Sequence, residues 1–263
     1  MSLHCSMSYP RRSFSDAVFD IFNSDEVLID NSTFTNNKGQ GRVNAPNRGN
    51  TGAVAIGYHD MNTTVNSSRT VTVTGSYFVD NCANVSNSSL ATSTRVLTSQ
   101  SYKGRGAGMG VFLGDSSNQI SVSVEGCSFV NNSGFRSGGG LYVAFDGENT
   151  NHTVTVSRSL FLDNNSGGRG GGLLLAFLSS GDPTSPMLAR VSDTEFVGND
   201  ASTGGGVAAI PADATAGLGV RVVLENCTFV RNSAAGFGGA LRFAVFNTFS
   251  DRVSLQNHEV ISW

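Results

Sequence analysis

At 263 residues with 39% hydrophobic side chains, the chain is long enough to bury a sizeable core and too apolar for a disordered tail. Only 14% of residues are charged, against about 25% in an average globular domain, and the net charge of −3 supplies no field to draw in nucleic acid or an anionic membrane. The four cysteines (Cys5, Cys82, Cys127, Cys227) and four histidines (His4, His59, His152, His258) show no metal-ligand spacing, so neither a metal nor another cofactor is expected.

Residues 1–16 carry no repeat signal and no apolar stretch of signal-peptide length, and read as a leader outside the repeat or an imperfect gene start. AVFDIF, from Ala17 to Phe22, reads as the closing strand of a repeat unit. A complete unit follows. Val27 and Ile29 alternate with polar neighbours, Ser32 comes next, then FTNN from Phe34 to Asn37, then the apolar run TGAVAI from Thr51. The second unit has Val71 and Val73, Ser76, FVDN from Phe78 to Asn81, and GAGMGVFL from Gly106. The third has Val122 and Val124, Cys127, FVNN from Phe129 to Asn132, and SGGGLYVAF from Ser137. The fourth has Val154 and Val156, Ser159, FLDN from Phe161 to Asn164, and GGGLLLAF from Gly170. The fifth has Ala189 and Val191, Thr194, FVGN from Phe196 to Asn199, and GGGVAAI from Gly204. The sixth has Val222 and Leu224, Cys227, FVRN from Phe229 to Asn232, and GGALRFAVF from Gly238. RVSLQN, from Arg252, opens a further unit in which Val260 stands at the Phe place and Trp263 at the Asn place.

The motif phenylalanines recur after 44, 51, 32, 35 and 33 residues, so the irregularity is insertion rather than loss of register. Apolar residues two apart predict a strand with one buried face. The odd step from the second of them to the small residue near the Phe requires a bend, near Gly75, Gly126 or Asn226. The third strand carries Leu141, Val143 and Phe145, or Leu173, Leu175 and Phe177, on one face. The expected fold is therefore all-β: a right-handed single-stranded parallel β-helix of three short strands per coil and at least six coils, over residues 17–263 and breaking off within a coil at each end. In it the phenylalanines stack inside, the asparagines form an amide ladder while tolerating left-handed turns, and the glycines permit positive φ and close backbone approach. Segments 57–69, 114–119, 146–151, 178–188 and 211–219 read as surface loops.

Phe-x-x-Asn alternating with Gly-Gly-Ala-(Ile/Leu/Val) resembles the repeat of the chlamydial polymorphic outer membrane proteins and of related β-helix surface proteins in protists and algae. All six turn motifs fit that pattern, GGAL from Gly238 to Leu241 carries the full second motif, and GGGL, GGGV and TGAV are variants of it. The resemblance implies a pectate-lyase-like β-helix, an extracellular or cell-surface location, and adhesion or binding of glycans or cell-surface proteins. No membrane-spanning segment is expected within the chain, since no run of about 18 apolar residues occurs.

The candidate ligand-binding residues are Arg48, Arg105, Arg136 and Arg169, each a few residues ahead of a glycine-rich run, where stacked guanidinium groups suit the carboxylates or sulfates of an acidic glycan. Outward Tyr142 beside Leu174 reads as a sugar-stacking patch. Catalytic residues are not expected: Asp80 and Asp163 share a motif position but are separated by the Asn131 coil, and read as solvated turn aspartates. The histidines fall in loops or at the ends. The alternative function, a polysaccharide lyase or glycoside hydrolase domain acting on an acidic glycan, needs clustered Asp, Glu, Arg or Lys on one face. Cys127 and Cys227 read as small core thiols three coils, roughly 14 Å, apart, beyond disulfide reach. Nine Asn-x-Ser/Thr sequons start at Asn31, Asn62, Asn66, Asn84, Asn87, Asn131, Asn151, Asn164 and Asn226. Of these Asn62, Asn66, Asn84, Asn87 and Asn151 read as loop acceptors for N-glycans, and Asn164 as a ladder residue.

Overall fold

Alternating branched apolar and hydroxyl residues make a strand with one dry face. In the strand Thr153–Ser157, Val154 and Val156 are buried while Thr153, Thr155 and Ser157 are half-exposed. The open backbone edges of such a strand must be paired, and each is met by the equivalent strand of the next coil. Val71 pairs with Val122, Val122 with Val154, Val154 with Ala189, and Ala189 with Val222, all in parallel register. The structure, a computed structural model, describes residues 2–7, 19–22, 24–41, 51–59, 68–85, 105–114, 119–145, 151–178, 187–211, 220–244, 252–256 and 259–261.

The fold is a right-handed parallel β-helix with six consecutive complete coils, from Ser24 to Phe243. One coil shows the plan: Thr153–Ser157 lies in a valine sheet, Leu160–Leu162 in a phenylalanine sheet, Asn165–Arg169 in a short-stranded sheet, and Leu173–Phe177 in a glycine-led sheet. To the three strands marked by the sequence motifs the structure adds this fourth, the short ladder between the motif Asn and the glycines. Phe19–Phe22 pairs with Val54–His59 as a closing strand, and Val260 pairs with Phe229 in the phenylalanine sheet. Ser2–Met7, outside the repeat, lies antiparallel on Ser24–Asp30 at one edge of the valine sheet. Among the described residues no helix is long and apolar enough to cross a membrane.

The interior consists of columns. The rings of Phe34, Phe78, Phe129, Phe161, Phe196 and Phe229 stack nearly parallel at centroid spacings of 4.8 to 5.0 Å, the rise of a β-coil. Each is buried, which stabilises the fold by about 1.5–3 kcal/mol per side chain. Beside them runs the asparagine column. Asn132 donates its amide to Asn164 Oδ1 at 2.9 Å and to the Phe78 carbonyl at 2.8 Å, and the pattern repeats from Asn81 to Asn232.

The small-residue column has its own bonding. Ser76, Ser159 and Thr194 donate their hydroxyls to the carbonyl two residues earlier at 2.7–2.8 Å, and Ser76 Oγ and Ser159 Oγ accept a backbone N–H from the preceding coil. Cys127 and Cys227 place a thiol where the others place a hydroxyl, 3.3 Å from the carbonyls of Glu125 and Glu225. The bend expected beside this column falls at Gly75, Gly126 and Asn226, where the backbone is left-handed, as it is also at Asn31, Arg158 and Asp193. At the next turn the left-handed residue is not the motif Asn but the one before it: Asn36, Asp80, Asn131, Asp163, Gly198 or Arg231. This division of labour follows from geometry, because the ladder Asn must point inward while its neighbour reverses the chain outside.

Glycine is required where the coil enters the glycine-led sheet. A Cβ on Gly172 would lie 2.7 Å from the Gly206 carbonyl oxygen and 3.0 Å from the Phe196 ring. Gly170, two residues earlier, has φ +63°, a conformation that side chains disfavour.

Candidate functional site

The outer surface near the glycine turns carries the arginines singled out in the sequence. Backbone pairing aligns Arg105, Ser137, Arg169, Thr203 and Phe237 in one column, coil after coil. Arg105 and Arg169 are thus two coils apart, about 10 Å at the coil rise, with Ser137 between them. Arg136 is one residue out of step with this column and exposed. Arg48 lies outside the described residues. Four arginines in four successive coils therefore resolve, among the described residues, into a column of two with a third beside it.

Sequence reading missed Arg242. It lies in the adjacent glycine-led sheet, in the same row as Ala208, Leu174 and Tyr142. Its guanidinium lies over the ring of Phe237 at 5.0 Å, and so comes back to the column of Arg169 two coils on. The signal was present in GGALRF, where Arg occupies an outward position that the other complete coils fill with Ala, Gly, Leu or Tyr. Arg105 packs over the Tyr142 ring at 5.3 Å and donates to its hydroxyl at 2.6 Å.

Three arginines elsewhere on the helix are paired with carboxylates. Arg158 pairs with Glu125, Arg190 with Glu225, and Arg69 with Asp25 at 3.7 Å. Among the described residues Arg169 and Arg242 have no carboxylate partner. Half-buried Arg169 has its pKa lowered, first by burial and then by the like charges of Arg242 and Arg105. A guanidinium remains protonated in proteins, so this site holds concentrated positive charge.

Tyr142 and Leu174 do point outward, yet both are buried, in a second apolar cluster with Phe112, Ala144, Ala176, Ala208 and Ile210. They offer no exposed sugar-stacking surface. The exposed aromatics of this region are Phe237, at 71% exposure, and Phe135, at 39%, two residues before Ser137.

The remaining candidates have structural settings. His152 is buried, and its Nδ1 accepts the Ile120 N–H at 3.2 Å. Asp80 accepts a 2.6 Å bond from the Asn131 side chain, and Asp163 is exposed at its turn. Cys127 and Cys227 are buried, Cys82 is half-buried, and none of the three is in a disulfide. Of the sequons, Asn151 is exposed ahead of its strand, Asn84 lies in the strand Cys82–Val85, and Asn62, Asn66 and Asn87 fall outside the described residues. Asn164 is buried in the ladder, whereas Asn31, Asn131 and Asn226 are exposed at turns. In comparisons with family models, curated proteins and solved structures, nothing matches the chain.

Proposed function

We propose that the protein is a non-catalytic extracellular or cell-surface β-helix scaffold that serves adhesion by binding glycans or proteins on its outer face. The observation that supports this reading most directly is the arginine edge: cations aligned by backbone register on a rigid column, with exposed aromatic rings beside them. The repeated Phe, Asn and Ser/Thr/Cys residues are spent on holding the coils together. That leaves recognition to outward residues that differ from coil to coil. The resemblance to surface β-helix repeats supports the location, and the exposed sequon at Asn151 suits a secreted glycoprotein.

The test is direct. The full chain is applied to a glycan array and to cells, and its products on polygalacturonate and alginate are assayed in parallel. Saturable binding without new reducing or unsaturated ends is expected. Release of such ends would replace the scaffold reading with a polysaccharide lyase or hydrolase. Silence in both assays would remove it.

A further inference from the structure

We infer that Arg169 and Arg242, with the Thr203 hydroxyl between their coils, form a binding site for the sulfate or carboxylate groups of a linear acidic glycan, which continues along the column to Arg105. This deepens the scaffold reading and rests on it for the glycan. The anion site itself stands on geometry.

Arg169, Thr203 and Phe237 are register partners in three successive coils, and Arg242 reaches back over Phe237. The coils that carry the two arginines therefore flank the coil of partly exposed Thr203, and two coil rises, about 10 Å, separate Arg169 from the Phe237 that Arg242 covers. Neither arginine has a carboxylate partner among the described residues, whereas Arg158 and Arg190 do. Leaving two like charges together at a partly desolvated edge is unfavourable in the unliganded protein. An anion between them removes that cost and fills the planar donor fork that arginine presents to sulfate and carboxylate oxygens.

Two features select a glycan over an isolated anion. Arg105 and Arg169 lie in one column fixed by backbone ladders, about 10 Å apart, with Arg105 held by Tyr142 and Arg242 reaching the far end of the column from the neighbouring sheet, so they suit a ligand with repeated charges on an extended chain. Exposed Phe237, at the end of the column with Arg242 over its ring, and exposed Phe135, two residues before Ser137, add apolar surface for sugar rings. A sulfated peptide would present its charges on a floppy backbone and gains less from a rigid cation spacing.

The experiment uses the whole chain and four probes: inorganic sulfate, a heparin-derived octasaccharide, its desulfated counterpart, and a sulfotyrosine peptide, each titrated at two salt concentrations. The sulfated octasaccharide is expected to bind with clear salt dependence. Arg169→Gln and Arg242→Gln should each weaken it about tenfold or more, while Arg190→Gln, which removes an arginine already paired with Glu225, changes it less than about twofold. Melting temperature controls for folding and is expected to hold or rise in Arg169→Gln, since a like-charge contact is relieved.

Equal binding of the octasaccharide by wild type and by both variants overturns the site. Preference for the sulfotyrosine peptide overturns the glycan assignment. If the chain binds neutral glycans or proteins but none of the four probes, this site fails and the scaffold reading stands. If the octasaccharide binds through Arg169 and is also cleaved, the site stands and the non-catalytic reading fails.

Discussion

The side-chain oxygen of Asn164 accepts two hydrogen bonds from Asn132, one from its backbone N–H at 3.1 Å and one from its side-chain amide at 2.9 Å. Asn164 in turn donates to Asn199 Oδ1 at 2.9 Å and to the Phe129 carbonyl at 2.8 Å. Every hydrogen-bonding position of this buried amide is thus filled by the coils above and below. Asn164→Asp should be more destructive than Asn164→Ala, because it puts a carboxylate oxygen against the Phe129 carbonyl and Asn199 Oδ1. Either change should cost about 3 kcal/mol or more, from several buried groups left unpaired. Urea unfolding midpoints of the two variants check both the size and the order.

The phenylalanine column predicts a graded response. Phe161 lies 4.8 Å from both Phe129 and Phe196, so Phe161→Ala opens a gap flanked by rings that cannot close it. A loss of about 3–5 kcal/mol is expected, against clearly less for Phe161→Leu, which keeps most of the volume. Gly172→Ala should also destabilise, because its Cβ meets a carbonyl oxygen rather than a movable side chain. Thermal unfolding of the three variants ranks them.

Burial pushes the Cys127 thiol up from 9.0 to about 11. The unfolded chain therefore loses this proton first as pH rises. The stabilising contribution is whole below about pH 9 and is lost progressively towards pH 11, by roughly 2–3 kcal/mol. Wild type should lose more stability than Cys127→Ser across this window, and serine keeps the hydrogen bond that Ser76 and Ser159 make at the same place. In the native state Cys127 should also react with thiol reagents far more slowly than half-buried Cys82.

Arg231 holds φ 51° at a turn where other coils use Asn, Asp or Gly. Arg231→Asn keeps the turn and relaxes the backbone, so a gain of up to about 1 kcal/mol is expected. A calorimetric scan of this exposed-site variant measures it, and a fall in melting temperature would contradict the assignment of strain.

What the amino-acid order determined by itself was the contents of each coil. Whether Val154, Phe161 or Leu173 faces inward depends on the local two-residue pleat and on turn residues a few positions away, so the valine, phenylalanine, asparagine and small-residue columns were legible before any coordinates. The short fourth strand was not, because Asn165–Arg169 and Ser133–Gly134 carry almost no alternating apolar signal. Neither was the residue that turns left-handed, since Asp163 and Asn164 are both competent and only the inward direction of the ladder decides between them. The arginine edge belongs to the tertiary structure for the same kind of reason. Coil-to-coil pairing joins residues 32 to 51 positions apart, and the repeat register says which of them align but not where their long side chains go. Pairing put Arg105 and Arg169 in one column and left Arg136 out of it, while side-chain packing brought Arg242 in from a neighbouring sheet and buried the outward Tyr142.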